Sequence, residues 1–200
     1  MGNNIPDMVD MAFDLKGSFV PAGYVFSLWN EVARILPWLE AEELAGILPL
    51  RGSHSGNGLL LANRSKLVLR LPVRLVAQTM VLSGQSLNIG RDVLQIGEGR
   101  QRPLQAHATL HANLVESDDE EEQFIADVAT QLNDMKITCK WICGQHHTAV
   151  GAGLSLSGYS LVLHDLKPDA SLHVQRVGLG GSRRFGCGIF VPYKDISGLD

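Results

Sequence analysis

The chain has 200 residues, 45% hydrophobic and 19% charged, enough to bury one large core or two small ones and too apolar for a disordered segment. No apolar run reaches the roughly 20 residues of a membrane span. The start MGNNIPDMVD lacks the basic-then-apolar layout of a secretory leader, and three cysteines make no disulfide framework, so a cytoplasmic protein with no membrane partner is expected. The formal net charge of −4 argues, taken whole, against a polyanionic partner.

Residues 8–15 alternate apolar and polar and stop at Gly17, which predicts a strand with Phe13 and Leu15 on one face. Residues 23–36 place Val25, Phe26, Leu28, Trp29, Val32, Ala33 and Leu36 at a helical period, and Pro37 ends the helix. A second strand falls at 47–50 or 59–61, within a glycine-rich stretch. Residues 66–71 alternate as a third strand, Pro72 opens a short helix to about Leu82, and 87–96 read as a hairpin holding the fourth strand. Residues 97–103 read as a polar linker.

The order then repeats. Residues 105–115 predict a strand that carries His107 and His111; 120–135 a helix with Phe124, Ile125, Val128 and Leu132 on one side; 137–143 and 158–166 two strands; 168–177 a helix; and 188–191 a closing strand. Two βαββαβ series without residue identity between them are a repeat of topology only. The expected class is α+β, two tandem ferredoxin-like (RRM-like) domains at 1–98 and 104–200.

The distribution of charge points the other way from its total. Six of the 21 acidic residues lie in the run ESDDEEE at 116–122, and the remaining fifteen face seventeen lysines and arginines. Between residues 51 and 74 stand Arg51, Arg64, Lys66, Arg70 and Arg74 with no acid among them, and 136–194 carry seven basic residues against two acidic ones. Two basic regions parted by an acidic patch fit a one-sided binding face, or else scattered solvated charges.

The most specific stretch is GLGGSRRFGCGIFVP, 178–192. It is not a dinucleotide fingerprint, because Arg183 stands where the third glycine belongs and a strand follows where a helix should. Nor is it a P-loop, because Cys187 and Gly188 replace the Lys and the Ser or Thr that hold terminal phosphate and magnesium. What remains is a glycine-rich loop carrying two arginines, in which backbone N–H groups and guanidinium forks can meet phosphates together. Gly180, Gly181, Ser182, Arg183, Arg184 and Phe185 are therefore candidate phosphate contacts.

This ending resembles the C-terminal glycine-rich loop of the repeat-associated RNA-binding proteins and in particular of the Cas6 CRISPR endoribonucleases, most of all the small Cas6 group of the type I Myxan systems. FDLKG at 13–17, LPW at 36–38, SKLVLRLP at 65–72 and GYSLVLHDL at 158–166 extend the likeness over most of the chain. The resemblance implies tandem ferredoxin-like domains and a protein that cuts precursor CRISPR RNA beside the stem of its repeat hairpin, without metal or cofactor. In that reaction the upstream ribose 2′-hydroxyl attacks its own phosphate and leaves a 2′,3′-cyclic phosphate.

Such a cut needs a base, an acid and cations around the crowded phosphate. Histidine suits the proton transfers, and His54 in the loop RGSHSGNG is the first candidate, with Tyr24 placed to position the scissile nucleotide. Arg51, Arg64 and Lys66 are candidate phosphate contacts. Lys140, His146 and His147 are candidates to grip the RNA stem, the two histidines in a glycine-bearing loop after the strand ITCKWIC. Related chains often place a histidine just before the aromatic pair that opens the first helix, where this chain has Ala22 and Gly23. That departure favours an alternative: a non-cleaving hairpin-binding subunit of a Cascade-type complex of Cas proteins. A zinc site at Cys139, Cys143, His146 and His147, within a protein-interaction module whose partner surface is the acidic run, is a third reading.

Overall fold

The structure is a computed structural model that describes residues 5–193. It divides into two compact units. The first is Met1–Leu104 with Thr148–Leu156 and Ser182–Gly186; the second is Gln105–His147 with Ser157–Gly181 and Cys187–Asp200.

In the first unit the elements run β1 (Met8–Lys16), β2 (Phe19–Pro21), α1 (Tyr24–Ile35), β3 (Gly46–Ile47), β4 (Gly52–Ser55), β5 (Gly58–Leu61), β6 (Lys66–Pro72), the single-turn α2 (Val76–Thr79), β7 (Ser86–Ile89) and β8 (Asp92–Pro103). Its five-stranded sheet has the order β3-β6-β1-β8-β7. The register pairs Met11 with Leu69 and Phe13 with Leu67, so alternate apolar residues of β1 and β6 fall on one face, nearly all of them fully buried. The intervening positions put Asp10 opposite Arg70 and Asp14 opposite Lys66 on the other face. Helix α1 buries Phe26, Leu28, Trp29, Val32 and Ala33 and lies against β7. A separate small sheet, β2-β5-β4, carries the glycine-rich stretch.

The second unit contains β9 (Leu110–Glu116), α3 (Glu121–Asp134), β10 (Lys140–Gly151), β11 (Leu154–His164), α4 (Pro168–Val177) and β12 (Val191–Pro192), in the sheet order β10-β11-β9-β12. Leu110, Ala112, Leu161 and Leu163 from the strands, Phe124, Val128 and Leu132 from α3, Val174 from α4 and Phe190 make its core. Each side chain of this size buried from water contributes roughly 1.5–3 kcal/mol. With β7 and the small sheet set aside, both units read second, third, first, fourth strand across the sheet. The protein is α+β, two tandem ferredoxin-like domains.

Several local expectations are corrected. Residues 97–103 are no linker but the second half of β8, paired with β1 from Gly99 opposite Phe13 to Pro103 opposite Val9. The glycine-rich stretch gives two strands, not a loop, so His54 lies on edge strand β4 opposite Leu59. His146 and His147 lie within β10, His107 precedes β9, and Cys139 precedes β10. The closing strand is only Val191–Pro192, because Gly188 takes φ 64° and its N–H donates to the Leu114 carbonyl. A Cβ there would come within 1.9 Å of the Leu179 oxygen.

Candidate nucleic-acid interface

Two hydrogen bonds join candidates in the first unit to the start of α1 and to the turn before β6. The Leu50 N–H donates to the Tyr24 hydroxyl at 2.8 Å, and the Ser65 hydroxyl donates to the Arg51 carbonyl at 2.8 Å. Arg51 is thereby tied between the first turn of α1 and the turn before β6 that holds Arg64, and β4 with His54 follows directly. Burial pushes the Tyr24 phenol up to about 12, the bond from Leu50 opposing, so the ring enters neutral-pH chemistry only as a neutral hydroxyl.

The five basic residues of 51–74 are not five free charges. Arg70 is 1% exposed and forms a forked ion pair with Asp10 at 2.7 and 2.9 Å; Lys66 pairs with Asp14, and Arg74 with Glu42. Arg51 and Arg64 are exposed and make no ion pair among the described residues.

The arginine turn belongs to the same unit, and its two guanidinium groups part. Ser182 at φ 51° and Gly186 at φ 90° bracket a 3-10 turn over Arg183–Phe185. The Phe185 ring packs edge-on against Phe26 at 5.0 Å and Trp29 at 6.3 Å. Arg183 is 9% exposed and its Nε donates to the Leu44 carbonyl at 2.7 Å. Burial, and next the charge of Arg70, push its pKa down to about 9 against the pull of Asp10, so the guanidinium is charged at neutral pH. Arg184 is exposed, its Cζ 4.7 Å above the Phe185 ring. Beside it an open cavity of about 270 Å³ carries Glu40, Glu42 and Glu43 on its wall. Arg183 and Phe185 therefore anchor the turn, and Arg184 is what it presents.

The second unit holds the other candidates, dispersed. The Gly180 N–H is taken by the Gln131 side-chain oxygen at 2.9 Å, and the Glu116 carboxylate lies where a side chain on Gly181 would go. Lys140 pairs with Asp165 at 2.9 Å, both side chains largely exposed. His146 meets the edge of Tyr159 at 4.9 Å; as its strand neighbour, exposed His147 points to the opposite face, so the two do not act as one grip. Burial, and next Asp165 and Glu121 respectively, push the Cys139 and Cys143 thiols up. Among the described residues no three His, Cys, Asp or Glu side chains converge as a metal group, and no helix is long and apolar enough to cross a membrane.

Sequence reasoning passed over Arg100 and Arg102. Both are exposed on β8, opposite Ala12 and Asp10, on the face of the sheet that carries Lys66. The signal was present as the alternation of Glu98, Arg100 and Arg102 with Gly99, Gln101 and Pro103.

The family profile described as Cas6 Crispr matches residues 9–195. A CRISPR-associated endonuclease Cas6 of Myxococcus xanthus (strain DK1622) is 30% identical over 191 residues, covering 94% of this chain and 83% of its own. The chain belongs to the Cas6 family. Among solved structures, a RAMP protein described as binding different RNA substrates superposes with a TM-score of 0.67 at 10% identity, over 91% of this chain and 98% of its own. A CRISPR endoribonuclease Cse3 bound to a 19-nt RNA gives 0.52 at 14% identity, over 94% and 98%.

The position before Tyr24 has no room for a side chain in this backbone. Gly23 caps α1 at φ 68°, and a Cβ on it would stand 2.0 Å from the Val150 oxygen. A histidine at 23 would need both a strained backbone and a displaced neighbour.

Proposed function

We propose that this Cas6-family protein is an endoribonuclease that binds the hairpin of a CRISPR repeat in precursor RNA and cuts it beside the stem, with His54 as the proton-transfer group. The observation that supports the reading is the pair of hydrogen bonds, Leu50 to Tyr24 and Ser65 to the Arg51 carbonyl, that join the segment leading into β4 to the first turn of α1 and to the turn that holds Arg64. The family, and the RNA-bound Cse3 of the same fold, support it. In this reading the nucleophile is the 2′-hydroxyl of the RNA itself. His54 takes its proton, Arg51 and Arg64 hold the phosphate as negative charge accumulates, the bond from phosphorus to the 5′-oxygen breaks, and that oxygen takes a proton from water to leave as a 5′-hydroxyl beside the 2′,3′-cyclic phosphate. The reaction so written calls on no metal and no cofactor. Tyr24 acts as a positioning residue: its hydroxyl fixes Leu50 and with it the strand that carries His54.

Arg184, Lys66 and the β8 arginines of the first unit, and separately Lys140 and His147 of the second, contact an RNA backbone whose A-form stem is read by shape and phosphate. His146 and the Gly180–Phe185 stretch complete the set, with Arg183 and Phe185 acting through Arg184. After cleavage the protein stays on the mature RNA, as a subunit of a Cascade-type complex. The purified protein incubated with repeat RNA in EDTA is expected to make one cut, abolished or slowed at least 100-fold in His54→Ala with hairpin affinity retained. A cut of unchanged rate in that variant removes His54 from the mechanism.

The second reading, a hairpin-binding subunit without chemistry, is favoured by one observation: the position before Tyr24 admits no side chain. Tight hairpin binding with no cut by the unaltered protein selects it.

A further inference from the structure

One row of residues crosses the first unit's sheet from strand to strand. The register sets Gly46 of β3 opposite Arg70 of β6, Arg70 opposite Asp10 of β1, and Asp10 opposite Arg102 of β8. Facing residues of neighbouring strands share a face, so three charged side chains stand in line and Gly46 adds none at the end. Arg70 takes both Asp10 oxygens, Nε at 2.7 Å and Nη2 at 2.9 Å, from a position 1% exposed. Arg102, on the other side of Asp10, is exposed and makes no ion pair among the described residues. Of the two arginines that flank Asp10, the buried one is the one beside Gly46.

The arginine turn lies at that end of the row. Arg183 donates from Nε to the carbonyl of Leu44, two residues before Gly46, and a Cβ on Gly186 would stand 2.8 Å from the oxygen of Ile47, the residue after it. After burial itself, the charges that act most on the Arg183 guanidinium are those of Arg70 and Asp10, opposed in sign. Two guanidinium groups repel strongly where little water screens them, and a carboxylate that acts on both offsets the repulsion. Without that carboxylate the less firmly held partner would yield. Arg70 stands within a strand paired on both sides, whereas Arg183 sits in a single 3-10 turn between left-handed Ser182 and Gly186. The turn is the part that would give, and Arg184 moves with it.

We propose that Asp10 is a positioning residue for RNA binding: its carboxylate, through Arg70, holds Arg183 and the arginine turn in place and so fixes where Arg184 meets the RNA backbone. The proposal deepens the RNA-binding reading above and rests on it. It also runs against simple electrostatics, since a carboxylate near the binding surface repels phosphate and its removal alone would tighten binding.

The test uses the full chain and a repeat-hairpin RNA, in fluorescence-anisotropy titrations over a range of salt. Asp10→Asn, which keeps the shape and removes the charge, is expected to weaken hairpin binding roughly ten-fold and to lower its salt slope by about 1, as loss of one phosphate contact does. Added to Arg184→Ala it is expected to weaken binding no further, because both act through one contact. Asp10→Glu, which keeps the carboxylate, is expected to retain the salt slope of the unaltered protein. Tighter binding by Asp10→Asn, an unchanged slope, or full additivity with Arg184→Ala overturns the proposal. Hydrogen exchange followed by mass spectrometry reads the turn directly, whatever the variant costs in overall stability. Faster exchange in Asp10→Asn confined to 182–186 and 44–47 supports the assignment, and exchange raised equally through β9 and β11 overturns it. Failure of the unaltered protein to bind the hairpin would strike the endonuclease reading, while the exchange result would still decide whether Asp10 holds the turn.

Discussion

Arg183 and Arg184 show how far one residue step can separate two roles. In the sequence they are an interchangeable pair. In the structure one guanidinium donates to a carbonyl 139 residues away in the chain and the other faces solvent over an aromatic ring. Their alanine variants should therefore fail in different assays. Arg183→Ala removes a buried charged hydrogen bond and is expected to cost about 1.5–3 kcal/mol in urea unfolding. Arg184→Ala is expected to leave the unfolding midpoint in place, weaken hairpin binding and reduce the salt slope of that binding by about 1. Equal loss of stability in both would mean that the turn does not divide the work this way. Tyr24 was visible in the sequence as a site candidate, but its partner was not, because nothing local predicts that its oxygen meets the N–H of Leu50.

At the level of elements, the start of α1 is the tightest constraint. The left-handed cap at Gly23 and the approach of the Val150 carbonyl leave no room for a side chain, so Gly23→Ala is expected to lower stability by roughly 1–3 kcal/mol, read as a fall in Tm. A Tm equal to that of the unaltered protein would show that the hairpin tip moves aside freely. The elements that were legible, β1, α1, β6, α3 and α4, are those with one buried face, because burial is what imposes a period on the residues. Illegible were strands exposed on both sides or rich in small residues: β4, the second half of β8, and the far end of β10 with its histidines. The alternation GEGRQRP in β8 is a period of charge, not of hydrophobicity, and so read as a linker. The candidates suffered accordingly: Arg100 and Arg102 were passed over, and His54, His146 and His147 were assigned to loops although they sit on such strands.

For the whole molecule, a duplicated βαββαβ topology lets one chain carry two sheets with different outer surfaces. In the first unit that face shows Lys66, Arg100 and Arg102; in the second it shows Ile142, His111 and Tyr193. The central claim is that the RNA supplies its own nucleophile. Repeat RNA carrying a single 2′-deoxy substitution just upstream of the cut, incubated with the unaltered protein, tests this most directly. The account predicts that the substituted RNA binds with unchanged affinity and is not cut at that position; cleavage there at the rate of the all-ribose RNA would contradict it.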